Sequence, residues 1–236
     1  RRETLPLDLP ARPLQVDRDP GFDVFRRLHR SELPPAISQA IGAERVLIVR
    51  PSKADTGLND AYRKLAGSWQ RTRGEQVEVI SDDALDAIPA DRTVWLFGWN
   101  NRFRPGLSQA LQAYDFQDRG ERVKIGETTL AADTHSIVVM ARQPRAADMA
   151  LGWLAADSVA ALPGLARKLP HYGRYSYLAF TGTAPDNTLK GQWPVVDSPM
   201  SVRVAQADGA VIDYQPAGLA TRTALVAPEE RFSATR

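Results

Sequence analysis

Short runs of consecutive apolar residues, separated by polar and glycine-containing loops, recur along most of the chain. The runs cover residues 45–50, 76–80, 93–97, 136–141, 149–155 and 175–180. Runs of this length and composition are typical of strands that are buried on both faces of a sheet. Between the first two runs, apolar residues recur at helical spacing and predict an amphipathic helix that ends at Gly74.

The order strand, helix, strand, short helix, strand over residues 45–97 predicts parallel pairing through right-handed crossovers. Pro105 suits the first turn of a further helix, and Gly126 the turn of a small hairpin. We therefore predict an α/β fold with a mostly parallel, Rossmann-like or flavodoxin-like layered sheet and helices on both faces. Short antiparallel strands near residues 200–204 and 210–214 are expected to follow it.

The patterning changes at both ends of the chain. Residues 1–20 are proline-rich and predict a linker or the exit strand of a preceding domain, because proline is confined to strand edges. Residues 21–205 are predicted to form the α/β domain, and residues 206–236 a short hairpin and a linker to a following domain. Since the sequence starts at Arg1 without a methionine, we interpret it as a segment of a longer protein.

Composition narrows the range of partners. Thirty basic residues stand against 28 acidic ones, for a net charge of +2, and the basic residues are scattered, so binding to nucleic acid is not predicted. No apolar run approaches the roughly 18 residues that a membrane span needs. The chain has no cysteine, which excludes disulfides and thiolate metal sites.

Sequence motifs for common chemistries are absent. The three histidines, His29, His135 and His171, are far apart, so no local zinc site is predicted. There is no Gly-x-Ser-x-Gly nucleophile turn, no phosphate-binding loop and no Gly-x-Gly-x-x-Gly dinucleotide motif. We therefore predict no catalytic residue, no bound metal and no cofactor in this segment.

The first candidate binding segment follows the third predicted strand. Gly98 permits a sharp turn, and Trp99, Asn100, Asn101 and Arg102 then supply an aromatic ring, two amides and a guanidinium. In open α/β sheets ligands bind outside the carboxyl ends of strands, so these four residues are ligand-binding candidates. The alternative is a structural turn, in which case replacing Asn100 with alanine should cost roughly 1–2 kcal/mol of stability.

The second candidate segment spans residues 169–177. His171, Tyr172 and Tyr175 are its ligand-binding candidates, and packing with tethered hydroxyl groups is the alternative. We expect this segment to lie beside Trp99–Arg102 at the same edge of the sheet.

Several stretches together resemble a non-catalytic module of large bacterial secreted metallopeptidases. They are Lys168–Leu178, Lys190–Pro194, Asp197–Met200 and Gly21–Leu28 with the later Pro34 and Pro35. The resemblance implies an aminopeptidase N-like zinc domain upstream, with Leu5 to Asp17 as its exit. More weakly, Pro228–Arg236 resembles the lead-in to a two-zinc aminopeptidase domain. Neither the zinc-binding helix motif nor the Gly-x-Met-Glu-Asn type motif of the aminopeptidase N-like enzymes occurs here, so no catalytic residue is carried over.

The resemblance implies a non-catalytic structural or ligand-binding module of a multidomain aminopeptidase. Zinc would then lie elsewhere in the parent protein, the location would be periplasmic or secreted, and the partners would be flanking domains and a peptide substrate. One alternative is a small-molecule-binding α/β domain or enzyme with a crevice at Trp99–Arg102. Another is a haem or iron uptake accessory domain with His171 and Tyr172 as ligands.

Overall fold

A computed structural model describes residues 4, 6, 8–196 and 198–204 of the chain. The chain divides into two compact units. One is Leu28–Asp197, and the other combines Arg1–Arg27 with Ser198–Arg236.

Twelve strands and four α-helices make up the regular structure of the described residues, together with short 3₁₀ turns. The strands are β1 (Gln15–Asp17), β2 (Val46–Arg50), β3 (Val77–Ser81), β4 (Thr93–Phe97), β5 (Phe116–Asp118), β6 (Arg122–Ile125), β7 (Thr128–Ala131), β8 (Ser136–Gln143), β9 (Ala146–Ala155), β10 (Tyr177–Thr181), β11 (Asp186–Gly191) and β12 (Ser201–Arg203). The helices are α1 (Ile37–Ile41), α2 (Thr56–Arg73), α3 (Arg104–Ala110) and α4 (Leu162–Lys168).

A seven-stranded mixed sheet with the order β11-β10-β8-β9-β4-β2-β3 forms the larger unit. Strands β3, β2, β4 and β9 are mutually parallel, whereas the β9–β8, β8–β10 and β10–β11 pairings are antiparallel. The prediction of a mostly parallel Rossmann-like or flavodoxin-like sheet is therefore wrong. After β4, the β8–β9 and β10–β11 hairpins supply antiparallel pairs, and α4 connects β9 to β10 across β8.

The length of one connection explains this error. Only Pro144 and Arg145 separate β8 from β9. A parallel connection needs a dozen or more residues, so two residues permit only an antiparallel hairpin. The apolar runs located both strands, but the direction of their pairing depends on the spacing between them.

Alternate residues of the central strands enter two separate cores. On the first face of the sheet, Ile48, Trp95 and Phe97 pack against α1, α2 and α4. On the second face, Leu47, Val94 and Leu96 belong to the core that also holds the apolar residues of α3 and of the small antiparallel sheet β5-β6-β7. The second face is thus covered by one short helix and a three-stranded sheet, not by the layer of helices that was predicted.

Strands β1 and β12 form an antiparallel pair in the smaller unit, with Val16 opposite Val202. An antiparallel strand near residues 200–204 was predicted and is present. Within residues 1–20, predicted to form a linker or the exit strand of a preceding domain, the described residues include the short strand β1. The predicted strand at 210–214 lies outside the described residues.

Candidate functional site

The carboxyl ends of β2 and β4 mark the point where a parallel sheet of this kind would bind a ligand. The loop after β2 leads to α2 on the first face, and the loop after β4 leads to α3 on the second face. Because these adjacent strands send their connections to opposite faces, a crevice is expected between their ends. We call the loops at this edge, residues 51–55, 82–84 and 98–103, the crest.

Pro51 occupies the place of that crevice. Gly98 has a φ of +89°, and a Cβ built on it would lie 2.7 Å from the Cγ atom of Pro51. The amide of Gly98 donates to the Leu154 carbonyl at 2.8 Å, and its carbonyl accepts from the Trp153 indole nitrogen at 2.9 Å. Only glycine meets both the left-handed backbone and the close approach, so the two loops are packed directly together.

Asn101 ties three pieces of backbone at the crest. Its Nδ2 donates to the carbonyls of Val49 at 2.9 Å and Phe97 at 3.1 Å, and its Oδ1 accepts from the amide of Phe103 at 3.1 Å. The side chain is 4% exposed. Its amide is therefore engaged with the ends of β2 and β4 and is turned away from solvent.

Asp82, at the end of β3, also binds the backbone of neighbouring loops. Its carboxylate accepts hydrogen bonds from the amides of Ser52 and Arg102, both at 2.8 Å, and the residue is 1% exposed. It thus joins the loops that follow β2 and β4. Asp82 was not predicted as part of a site, although its position directly after β3 was a signal for a role at the crest.

Trp99 and Arg104 form an aromatic and cationic stack beneath the crest. The Trp99 ring meets Trp153 edge-on at 5.1 Å, and the Arg104 guanidinium lies 4.6 Å from the Trp153 ring centre and 5.0 Å from that of Trp99. Arg104 also donates to the Trp99 carbonyl at 2.9 Å and pairs with Asp118 of β5. Burial lowers the pKa of Arg104, and the charge of Asp118 opposes this shift. Arg104 was not among the residues predicted to form a site.

The two remaining candidates of the first segment are exposed. Arg102 donates from its guanidinium to the Leu85 carbonyl at 3.0 Å and lies over the Phe103 ring. Asn100 is exposed and takes part in none of the hydrogen bonds that join the crest loops. The structural turn that was weighed as the alternative is therefore built by Asn101, and not by Asn100.

The second candidate segment packs on itself. The Tyr172 ring lies 5.6 Å from Phe180 and 5.8 Å from Tyr175, and His171 is exposed. The Tyr175 hydroxyl accepts from Arg174 at 2.7 Å. This hydrogen bond and the positive charges of Arg174 and Lys190 hold the pKa of Tyr175 below its usual value. The Tyr172 ring is therefore engaged in aromatic packing.

The structure does not bring the two segments together. Strands β8 and β9 separate β10 from β4 in the sheet. Since β10 is antiparallel to β8, and β8 to β9, strand β10 runs in the same direction as β4. The second segment, with His171, Tyr172 and Tyr175, precedes β10. It therefore lies at the amino ends of the parallel strands, whereas Trp99–Arg102 lies at their carboxyl ends.

No set of three or more His, Asp or Glu residues in the described part of the chain is placed to hold a metal ion. His29 instead caps the turn at Arg30–Glu32, and His135 lies 2.9 Å from the Thr134 hydroxyl.

None of the described helices is both long enough and apolar enough to cross a membrane. No protein-family model matches the sequence, and no curated protein does so.

Proposed function

We propose that this chain is a non-catalytic structural module of a multidomain secreted metallopeptidase, where it supports the flanking domains. One observation carries the structural part of the proposal. The polar groups at the crest, where an α/β enzyme would hold its ligand, bind the backbone of their own sheet. Because these polar groups are already engaged, a structural role is favoured over ligand binding. A ligand crevice at Trp99–Arg102 is not favoured, because Pro51 packs directly against Gly98 there.

The peptidase part of the proposal is supported by the resemblance of Lys168–Leu178, Lys190–Pro194 and Gly21–Leu28 to modules of such enzymes. The chain carries no zinc-binding helix motif of its own. Under this proposal the zinc and the catalytic groups belong to another domain of the same polypeptide, in the periplasm or outside the cell.

The test compares the 236-residue chain with the product of the complete reading frame, on an aminoacyl-p-nitroanilide substrate. We expect the complete product to hydrolyse the substrate, to lose this activity with a chelator and to regain it with zinc. The 236-residue chain should stay inactive with zinc added. Activity in the isolated chain, or a complete product that is inactive after zinc is supplied, would contradict the proposal.

A further inference from the structure

An open groove of about 280 Å³ lies on the second face of the sheet. Three segments line it: the connection after β3, helix α3 and the turn between β8 and β9. Its size is at the small end for ligand pockets, which span roughly 300–1,000 Å³. The groove therefore suits a small ligand.

The groove is apolar along its floor. Leu151 of β9 is 1% exposed there, and Ile88 and Phe103 contribute half-buried side chains. Gly106 of α3 opens the space, because a Cβ built on it would have no neighbour nearer than the Cδ1 atom of Ile88 at 4.0 Å. A larger residue at this helical position would project a side chain towards Ile88.

Two opposite charges stand on the rim. Asp86 and Arg145 both line the groove and are exposed, and neither forms an ion pair with any residue that the structure describes, including each other. A second cleft lies at the amino ends of the parallel strands, and charged residues that line it form ion pairs. There Arg45 pairs with Asp91 at 2.9 Å and Arg30 with Asp148 at 2.7 Å.

Hydrogen bonds fix both walls of the groove. Gln143, which is 3% exposed, donates to the Arg92 carbonyl at 2.6 Å and holds the β8–β9 turn in place. On the other wall, Arg102 donates to the carbonyls of Leu85 and Asp86. The two rim charges are therefore carried by backbone that is already positioned, which reduces the ordering that a ligand would impose.

We propose that this groove binds a short peptide of apolar residues with free termini. The Asp86 carboxylate receives the peptide ammonium group, Arg145 receives the carboxylate, and the apolar side chains cover Ile88, Phe103 and Leu151. An acidic and a basic side chain on the rim of an apolar groove select a zwitterion with an apolar body over an ion of one sign. The inference goes beyond the proposed function, because none of its residues belongs to the segments that carry the resemblance and only Phe103 is shared with the crest.

Calorimetric titration of the 236-residue chain with leucyl-leucine tests the proposal. N-acetyl-leucyl-leucine and leucyl-leucine amide serve as probes that lack one charge each. At low salt we expect each blocked peptide to bind about fivefold more weakly, as exposed charge pairs allow. Absence of binding by leucyl-leucine up to its solubility, or equal binding of all three peptides, would overturn the proposal.

Charge variants assign each terminus to a residue. With Arg145→Gln, leucyl-leucine and its amide should bind equally, whereas the acetylated peptide should remain weaker. With Asp86→Asn, the acetylated peptide should become equal to leucyl-leucine and the amide should remain weaker. The matched control is Arg71→Gln, which removes an exposed charge from α2 on the other face of the sheet and should change nothing. If the control lowers affinity as much as Arg145→Gln does, general electrostatics explains the binding and the proposal fails.

A filling variant tests the apolar floor. Gly106→Leu should abolish binding of all three peptides, and it should fold because leucine favours a helix over glycine. The control is Gly67→Leu in α2, where a Cβ would meet only the Arg71 guanidinium at 3.5 Å. Binding that survives Gly106→Leu in a folded variant would overturn the proposal, and circular dichroism establishes that the variant is folded. Peptidase activity of the complete product does not enter these outcomes, so the two proposals fail separately.

Discussion

Buried polar side chains at the crest act on the backbone of neighbouring loops. Asn101 satisfies two carbonyl groups and one amide, and Asp82 satisfies two amides. The sequence predicted a polar turn at this place, but it could not separate Asn100 from Asn101. Hydrophobic periodicity ends with the strand, and in the loop that follows, only the three-dimensional course of the chain decides which amide turns inward.

Tyr62 gives a residue-scale prediction about pH. Its side chain is completely buried, and its hydroxyl oxygen accepts from the Ala156 amide at 2.7 Å. Burial raises the pKa of Tyr62, so the folded state keeps the phenol proton above about pH 10, where the unfolded state loses it. The resulting stabilisation is complete below about pH 10 and decreases as the pH rises, by about 1.4 kcal/mol per pH unit.

The variant Tyr62→Phe removes this titration. At neutral pH it should cost about 1–2 kcal/mol, because the Ala156 amide loses its partner. Urea unfolding of both proteins between about pH 8 and pH 11 measures the difference, which should shrink above about pH 10. A difference that is constant over the whole range would contradict the assigned role of burial.

At the scale of elements, a buried cation reinforces the apolar contact between α3 and the small sheet β5-β6-β7. Arg104 of α3 pairs with Asp118 of β5, donates to the carbonyl of Gly120, and lies against two tryptophan rings. The sequence predicted both the helix and the hairpin around Gly126, and both are present. It did not predict how they join, because an arginine in a helix is ordinarily an exposed residue.

We expect Arg104→Met to lower the free energy of unfolding by about 2–3 kcal/mol, since the largely buried Asp118 carboxylate then loses its only charged partner and keeps only the Ser108 hydroxyl and the Gly120 amide as donors among the described residues. The control is Arg102→Met, an exposed neighbour that should change stability by less than about 1 kcal/mol. Hydrogen exchange should accelerate selectively at the amides of β5–β7 in the Arg104 variant. Uniform acceleration across the seven-stranded sheet would show that Arg104 does not act as this joint.

At the scale of the whole larger unit, the β8–β9 hairpin connects a parallel half of the sheet to an antiparallel half. Apolar runs located six of the seven strands of the sheet in this unit, because mostly buried strands leave a clear pattern. The edge strand β11, whose residues alternate between exposed and half-buried, was not predicted. Pairing order and direction were not predictable from those runs, since they depend on connection lengths and on which face each connection covers. In the three-stranded sheet, the β6–β7 hairpin was predicted from the sequence and β5 was not.

Gly152 couples the two halves of the sheet. A Cβ on this residue of β9 would lie 2.6 Å from the ring of Trp95, its neighbour on β4. Gly152→Ala should therefore cost about 1–3 kcal/mol by overpacking, whereas Gly67→Ala in α2 should be neutral or stabilising. Tryptophan fluorescence and far-ultraviolet circular dichroism should report one coincident urea transition in each protein. Separate transitions for the two probes in the Gly152 variant would contradict the coupling.

The central claim is that the crest is a structural tie, and the pair Asn101→Ala and Asn100→Ala tests it most directly. Urea unfolding should show a loss of roughly 2–3 kcal/mol for Asn101→Ala, because two carbonyls and an amide lose a buried partner. Asn100→Ala should stay within about 0.5 kcal/mol of the parent chain, as expected for an exposed residue. Equal stability of the two variants, or a larger loss for Asn100→Ala, would contradict the claim.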